Sequence, residues 1–67
     1  MIQEQIYGAT VFYEYKACIY EGDAICEVTL YDRPSIFSTW QHVCTREFPT
    51  RRDAMDFLQG YTKEWHL

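Results

Sequence analysis

Two consecutive runs of alternating side chains constrain this chain more than any other feature. Between Ile6 and Tyr20 the residues Tyr7, Ala9, Val11, Tyr13, Tyr15, Ala17 and Ile19 recur at period two, with Thr10, Glu14 and Lys16 interleaved. Successive side chains of a strand face opposite ways, so the run predicts one long half-buried strand that Gly8 bends or bulges. After Glu21-Gly22-Asp23 the alternation resumes, with Ala24, Cys26, Val28 and Leu30 set against Ile25, Glu27, Thr29 and Tyr31. Two such runs around a turn signal predict a hairpin.

A one-residue slip exchanges the two faces of a strand, so the turn length follows from which register sets apolar on apolar. A three-residue turn pairs Cys18 with Cys26 but also Lys16 with Val28 and Glu14 with Leu30. A two-residue Gly22-Asp23 turn instead sets Ile19 against Cys26, Ala17 against Val28 and Tyr15 against Leu30, and this is the expected register. It places Cys18 and Cys26 on opposite faces, where no cross-strand disulfide forms.

Arg33-Pro34 marks the next turn, since proline already holds the backbone angle that a turn needs. Between residues 36 and 48 the even positions Ile36, Trp40, Cys44 and Phe48 are the more apolar, so they are expected inside. Thr50 then reads as a helix N-cap with Asp53 three residues on, and Ala54, Phe57, Leu58, Tyr61 and Trp65 follow at helical spacing. Gly60 weakens or stops that helix. The expected fold is α+β: a single domain over residues 1–67 with a three-stranded antiparallel β-meander (strands about 6–20, 24–32 and 36–47). One C-terminal helix, about 51–65, packs on one face, giving the order β-β-β-α.

The chain has 67 residues, 48% of them hydrophobic, and only three Gly and two Pro, which is too apolar and too turn-poor for disorder. Ten acidic against six basic residues leave a net charge of −4, which disfavours nucleic acid as a direct partner. No stretch approaches the roughly 18 apolar residues of a membrane span, and Met-Ile-Gln-Glu does not open a signal peptide. Three cysteines without close paired spacing suit reduced thiols in a cytoplasm. A cytoplasmic protein without membrane attachment is therefore expected.

Catalytic signals are sparse. His42 and Cys44 are expected to share the inner face of the third strand, with Cys26 beside them on the second. Three such groups fall short of a structural zinc set, and a thin sheet with one helix offers little depth for a thiol nucleophile. Arg51-Arg52 at the helix start suggests an anion site, but Asp53 partly cancels its field. The expectation is a non-enzymatic protein without cofactor.

The back of the sheet is more informative. In the expected register it carries Phe12 near Arg33, Glu14 opposite Tyr31, Lys16 opposite Thr29, Cys18 opposite Glu27 and Tyr20 opposite Ile25, with Phe37 and Val43 from the third strand. Two Trp, six Tyr and four Phe make 18% of the chain aromatic, more than one small core hides. Periodicity assigns Tyr7, Tyr13, Tyr15, Trp40, Phe48, Phe57, Tyr61 and Trp65 to the helix-covered side. The remainder, mixed with acidic groups, has the composition of a protein interface, and Phe12, Glu14, Tyr20, Glu27, Tyr31 and Phe37 are the expected partner-binding residues.

From Phe12 to Gly60 the layout resembles that of some very small phage-encoded inhibitors, notably anti-CRISPR proteins acting on type I systems. The stretches that carry the resemblance are ACIYEGDAICEVTLYD, CTREFPT and RRDAMDFLQGY. It implies an acidic, non-enzymatic protein that blocks a host defence complex by occupying one of its subunits. The alternative is a structural homodimer associated through its sheet, since oligomerisation is a common remedy for a thin core. A small metal or thiol enzyme using Cys26, His42 and Cys44 is the third reading.

Overall fold

Residues 10–13 cut the first alternating run in two. The computed structural model describes residues 2–66, and in it the expected long strand is a hairpin of β1 (Ile2–Ala9) and β2 (Glu14–Glu21). Thr10 closes the turn: its N–H donates to the Tyr13 carbonyl at 2.8 Å, while its Oγ1 accepts from the N–H groups of Phe12 and Tyr13, each at 3.2 Å. The sequence hides this turn because Ala9, Val11 and Tyr13 continue the alternation and no Gly, Pro, Asn or Asp marks it. Its consequence is a change of parity. Ile6 and Gly8 face inward on β1, whereas Ala17 and Ile19 do so on β2, and Tyr7, expected inside, faces outward and is 47% exposed. Tyr13, also expected inside, lies exposed at the end of the turn.

Strand β3 (Cys26–Arg33) returns after a four-residue loop closed by a 2.9 Å bond from the Gly22 N–H to the Ile25 carbonyl. The register pairs Glu21 with Cys26, Ile19 with Val28, Ala17 with Leu30 and Tyr15 with Asp32. This lies two residues from the expected pairing. An even shift leaves every side chain on the same face, so alternation cannot detect it and the loop decides. Cys18 and Cys26 accordingly do lie on opposite faces.

Strand β4 (Gln41–Phe48) is shorter than the expected 36–47 and contains the fold's main irregularity. Leu30 pairs with Cys44 but Tyr31 pairs with His42, leaving Val43 without an opposite number. An extra residue in one strand shifts the facing of what lies beyond it. Cys44 and Phe48 therefore point toward the helix as expected, whereas His42 shares the face of Tyr31 and Trp40 follows it outward. Ile36 and Phe37 are not in a strand at all, but in the loop before β4, exposed at 64% and 92%.

The helix α1 (Arg51–Tyr61) starts as its sequence predicts, with Thr50 Oγ1 accepting from the Asp53 N–H at 3.2 Å. It ends four residues early, at Thr62, whose N–H donates to the Leu58 carbonyl. Gly60 lies inside it. The chain then doubles back, and the two residues of β5 (Trp65–His66) pair with Gly8 and Tyr7 of β1. The sheet is thus antiparallel, in the order β4-β3-β2-β1-β5: four full strands where three were expected, plus the short β5.

The core lies between the sheet and α1. Ile6, Ala17, Ile19, Cys26, Val28 and Leu30 meet Ala54, Leu58 and Trp65, with Tyr15, Phe48 and Phe57 packed around them. Phe48 and Phe57 contact at a ring separation of 5.3 Å, and Tyr61 meets Tyr15 edge to face at 5.7 Å. Arg51 pairs with Glu4 of β1, tying the start of the helix to the sheet.

Burial in this core has a pH signature. Desolvation raises the Cys26 thiol and the Tyr61 phenol above their ordinary values, with smaller contributions from Glu21 and Asp32 respectively. Both groups are harder to ionise folded than unfolded, so the unfolded chain releases these protons first and stability falls as pH rises above about 9. Urea midpoints measured at pH 8 and pH 10 are expected to show the lower value at pH 10, and a midpoint that rises would contradict this.

Candidate functional site: the open sheet face

One face of the sheet has no helix over it. At the end nearest the β1–β2 turn it carries a stack of rings and cations. The Lys16 ammonium lies 4.8 Å from the centre of the Tyr31 ring and 5.0 Å from that of Trp40. The Arg33 guanidinium covers Trp40 at 4.1 Å, and Tyr7 approaches the same indole at 6.3 Å. Arg33 also pairs with Glu14 at 2.7 Å, across the register that sets these two residues opposite each other. Tyr31 in turn meets His42 edge to face at 5.9 Å, His42 Nε2 is 2.9 Å from Thr45 Oγ1, and Thr45 Oγ1 is 3.3 Å from Thr29 Oγ1. Each cation–ring contact at a partly exposed site contributes about 0.5–1 kcal/mol, so the stack is a firm platform.

Farther along the same face is a shallow groove of about 350 Å³ lined by Gln3, Cys18, Tyr20, Glu27, Thr29 and Tyr31. Glu27 stands opposite Tyr20 on β2 and opposite Glu47 on β4. Two carboxylates directly across a ladder repel each other, which costs the sheet roughly 0.2–1 kcal/mol. Among the described residues neither forms an ion pair; the pairs present are Arg33–Glu14 and Arg51–Glu4.

Of the six expected partner-binding residues, Glu14, Tyr20, Glu27 and Tyr31 lie on this face. Phe12 and Phe37 do not. Phe12 sits in the β1–β2 turn, 77% exposed, and Phe37 in the β3–β4 loop. Lys16 and Arg33 were visible as outward positions in the sequence, but their convergence on Trp40 was not, because the Val43 bulge brings that indole to this side. Glu47 was missed for want of the β3–β4 register.

The same bulge dissolves the cysteine–histidine set. Cys26 and Cys44 face the helix and His42 faces away, and among the described residues no three His, Cys, Asp or Glu side chains gather as metal ligands. Cys26 is 1% exposed and its thiol is held neutral by burial, whereas Cys18 and Cys44 are partly accessible. The thiolate is the reactive form, so a disulfide reagent on native protein at pH 8 is expected to label Cys18 and Cys44 and leave Cys26 until denaturant is added. Rapid labelling of all three would show that the core does not protect it.

Searches of protein-family models, of curated proteins and of solved structures found no match to this chain. No helix among the described residues is long and apolar enough to cross a membrane.

Proposed function

We propose that this chain is a small protein-binding module that acts by occupancy, its open sheet face receiving a basic segment of a larger protein. The observation that carries this reading is the Glu27–Glu47 pair, two like charges opposed on the uncovered face with no cation among the described residues to balance them. A Lys or Arg side chain laid between these carboxylates and the Tyr20 ring would relieve the repulsion and gain a charge-assisted hydrogen bond. The neighbouring platform of Tyr31, Lys16 and Trp40 offers ring area that is already ordered, so little entropy is lost on docking. Inhibition of a host defence complex, the activity implied by the layout resemblance to phage anti-CRISPR proteins, is a proposal of this same kind: a surface blocked without chemistry.

The proposal couples stability and binding in opposite directions. The Glu27→Gln/Glu47→Gln variant is expected to be more stable than wild type by about 0.2–1 kcal/mol, because the repulsion is gone. The same variant should lose the amide shifts that an arginine-rich peptide induces at Glu27, Thr29 and Glu47 in wild type. Those shifts should also shrink between 50 and 300 mM salt, since exposed charge contacts are screened. In pull-downs, Tyr20→Ala/Tyr31→Ala should recover less of any protein that wild type retains. Peptide shifts of equal size in the charge-neutralised variant would overturn the assignment.

A further inference from the structure

Four large hydrophobic residues are more than 60% exposed, Val11 (94%), Phe12 (77%), Ile36 (64%) and Phe37 (92%), and all four lie at one end of the sheet. They belong to two loops, residues 10–13 and 34–40, which adjoin because Glu14 and Arg33, at their roots, are register partners.

The two loops use the same device. Thr10-Val11-Phe12 and Ser35-Ile36-Phe37 each place a hydroxyl residue, a β-branched residue and a Phe in succession. In both, the hydroxyl oxygen accepts the N–H of the Phe at 3.2 Å. Ser38 N–H closes the second loop on the Ser35 carbonyl at 3.1 Å, and Arg33 Nη1 reaches the Ser38 carbonyl at 3.5 Å. These bonds brace both turns, and the apolar side chains they carry are exposed.

We infer that this end of the sheet is a self-association surface that takes a second copy of the chain. Three arguments select that occupant. With aromatic side chains presenting about 150–250 Å² each when fully exposed and Val11 and Ile36 somewhat less, the exposed fractions of Val11, Phe12, Tyr13, Ile36 and Phe37 amount to on the order of 600 Å² per copy, so two copies approach the lower bound of about 1,200 Å² for a specific interface. Neither loop contains a charged residue, although the chain carries sixteen. A chain of net charge −4 meets its own copy most favourably where it has no charge, and a charge-free apolar surface has the composition of a homodimer interface rather than a transient one. A lipid surface fits less well, because peripheral binding leans on Lys and Arg at the rim. Here Arg33 is already paired with Glu14. The association is isologous, the same loops meeting across a two-fold axis. It uses a different surface from the groove proposed to bind a basic partner and stands or falls separately from it.

Sedimentation equilibrium of the full chain tests this. Wild type is expected to show twice the 8.1 kDa chain mass at micromolar concentration. Phe12→Asp and Phe37→Asp should each weaken association by about 30-fold or more, as central anchors do. Both side chains are exposed, so the variants should remain folded, with the circular dichroism spectrum of wild type, and Glu27→Gln/Glu47→Gln should remain dimeric. A wild type that stays monomeric to millimolar concentration overturns the inference, as does a dimer indifferent to both Asp substitutions. So does monomeric wild type that sediments with phosphatidylcholine vesicles, which would assign the loops to lipid.

Discussion

Gly8→Ala is expected to detach the C-terminal segment from the sheet, at a cost of about 2–4 kcal/mol. Gly8 has no unusual backbone angle, so conformational freedom is not the reason for it. Space is. A Cβ at this position meets the Glu64 carbonyl group well inside van der Waals contact and the Trp65 Cα at 3.1 Å, all of it backbone that cannot rotate away. The pairing of Gly8 with Trp65 and the bond from the Ala9 N–H to the Glu64 carbonyl must therefore open. Gly60 supplies the contrast, for a Cβ there has nothing within 4 Å and the residue lies inside the helix. Gly60→Ala should stabilise the chain by up to about 1 kcal/mol. Urea unfolding followed by tryptophan fluorescence measures both, and a Gly8→Ala variant as stable as wild type would show that the C-terminal segment does not lie where it is placed here.

Trp65→Ala should cost about 3–5 kcal/mol, the range for removing a large buried aromatic. Its indole is 9% exposed, packs against Tyr15 at a ring separation of 6.2 Å and donates from Nε1 to the Leu58 carbonyl at 2.7 Å. Trp65→Phe separates packing from hydrogen bonding. The Leu58 carbonyl also accepts from the Thr62 N–H, so losing the indole donor leaves it partnered and costs only about 1 kcal/mol. Thermal melts of the two variants should differ accordingly. If Phe proves as damaging as Ala, the hydrogen bond rather than the ring volume holds this end of the chain.

Side-chain alternation conveyed which face each residue of β2 and β3 takes, and with it most of the core: Ala17, Ile19, Cys26, Val28 and Leu30 are inward as their spacing predicts. The cap at Thr50 was equally legible, because a hydroxyl three residues before Asp53 serves the same purpose in any helix. Three features were not. The turn at residues 10–13 is built from Thr10 hydrogen bonds rather than turn-forming residues. The β2–β3 pairing differs from expectation by two, a shift to which a period of two is blind. The Val43 bulge is set by what lies across the ladder, and it carries Trp40 and His42 to the other side. The candidate site inherits these blind spots. Tyr20, Tyr31, Glu14 and Glu27 were readable as outward residues, while the Glu47 that opposes Glu27 and the indole that gathers Lys16 and Arg33 depend on a register no single strand contains.

The bulge has an evolutionary corollary. In a strand with neighbours on both sides an inserted residue disturbs two ladders, but β4 is the last strand of the sheet and Val43 disturbs only one. Length change is therefore tolerated most cheaply here, and its effect is discrete. Deleting Val43 would restore an unbroken ladder with His42 still opposite Tyr31, so the ring platform would survive the loss, whereas drawing Val43 into the ladder opposite Tyr31 would send Trp40 and His42 toward the helix. For a scaffold this small, whether one edge-strand residue is bulged or paired redraws the exposed surface more thoroughly than point mutation can.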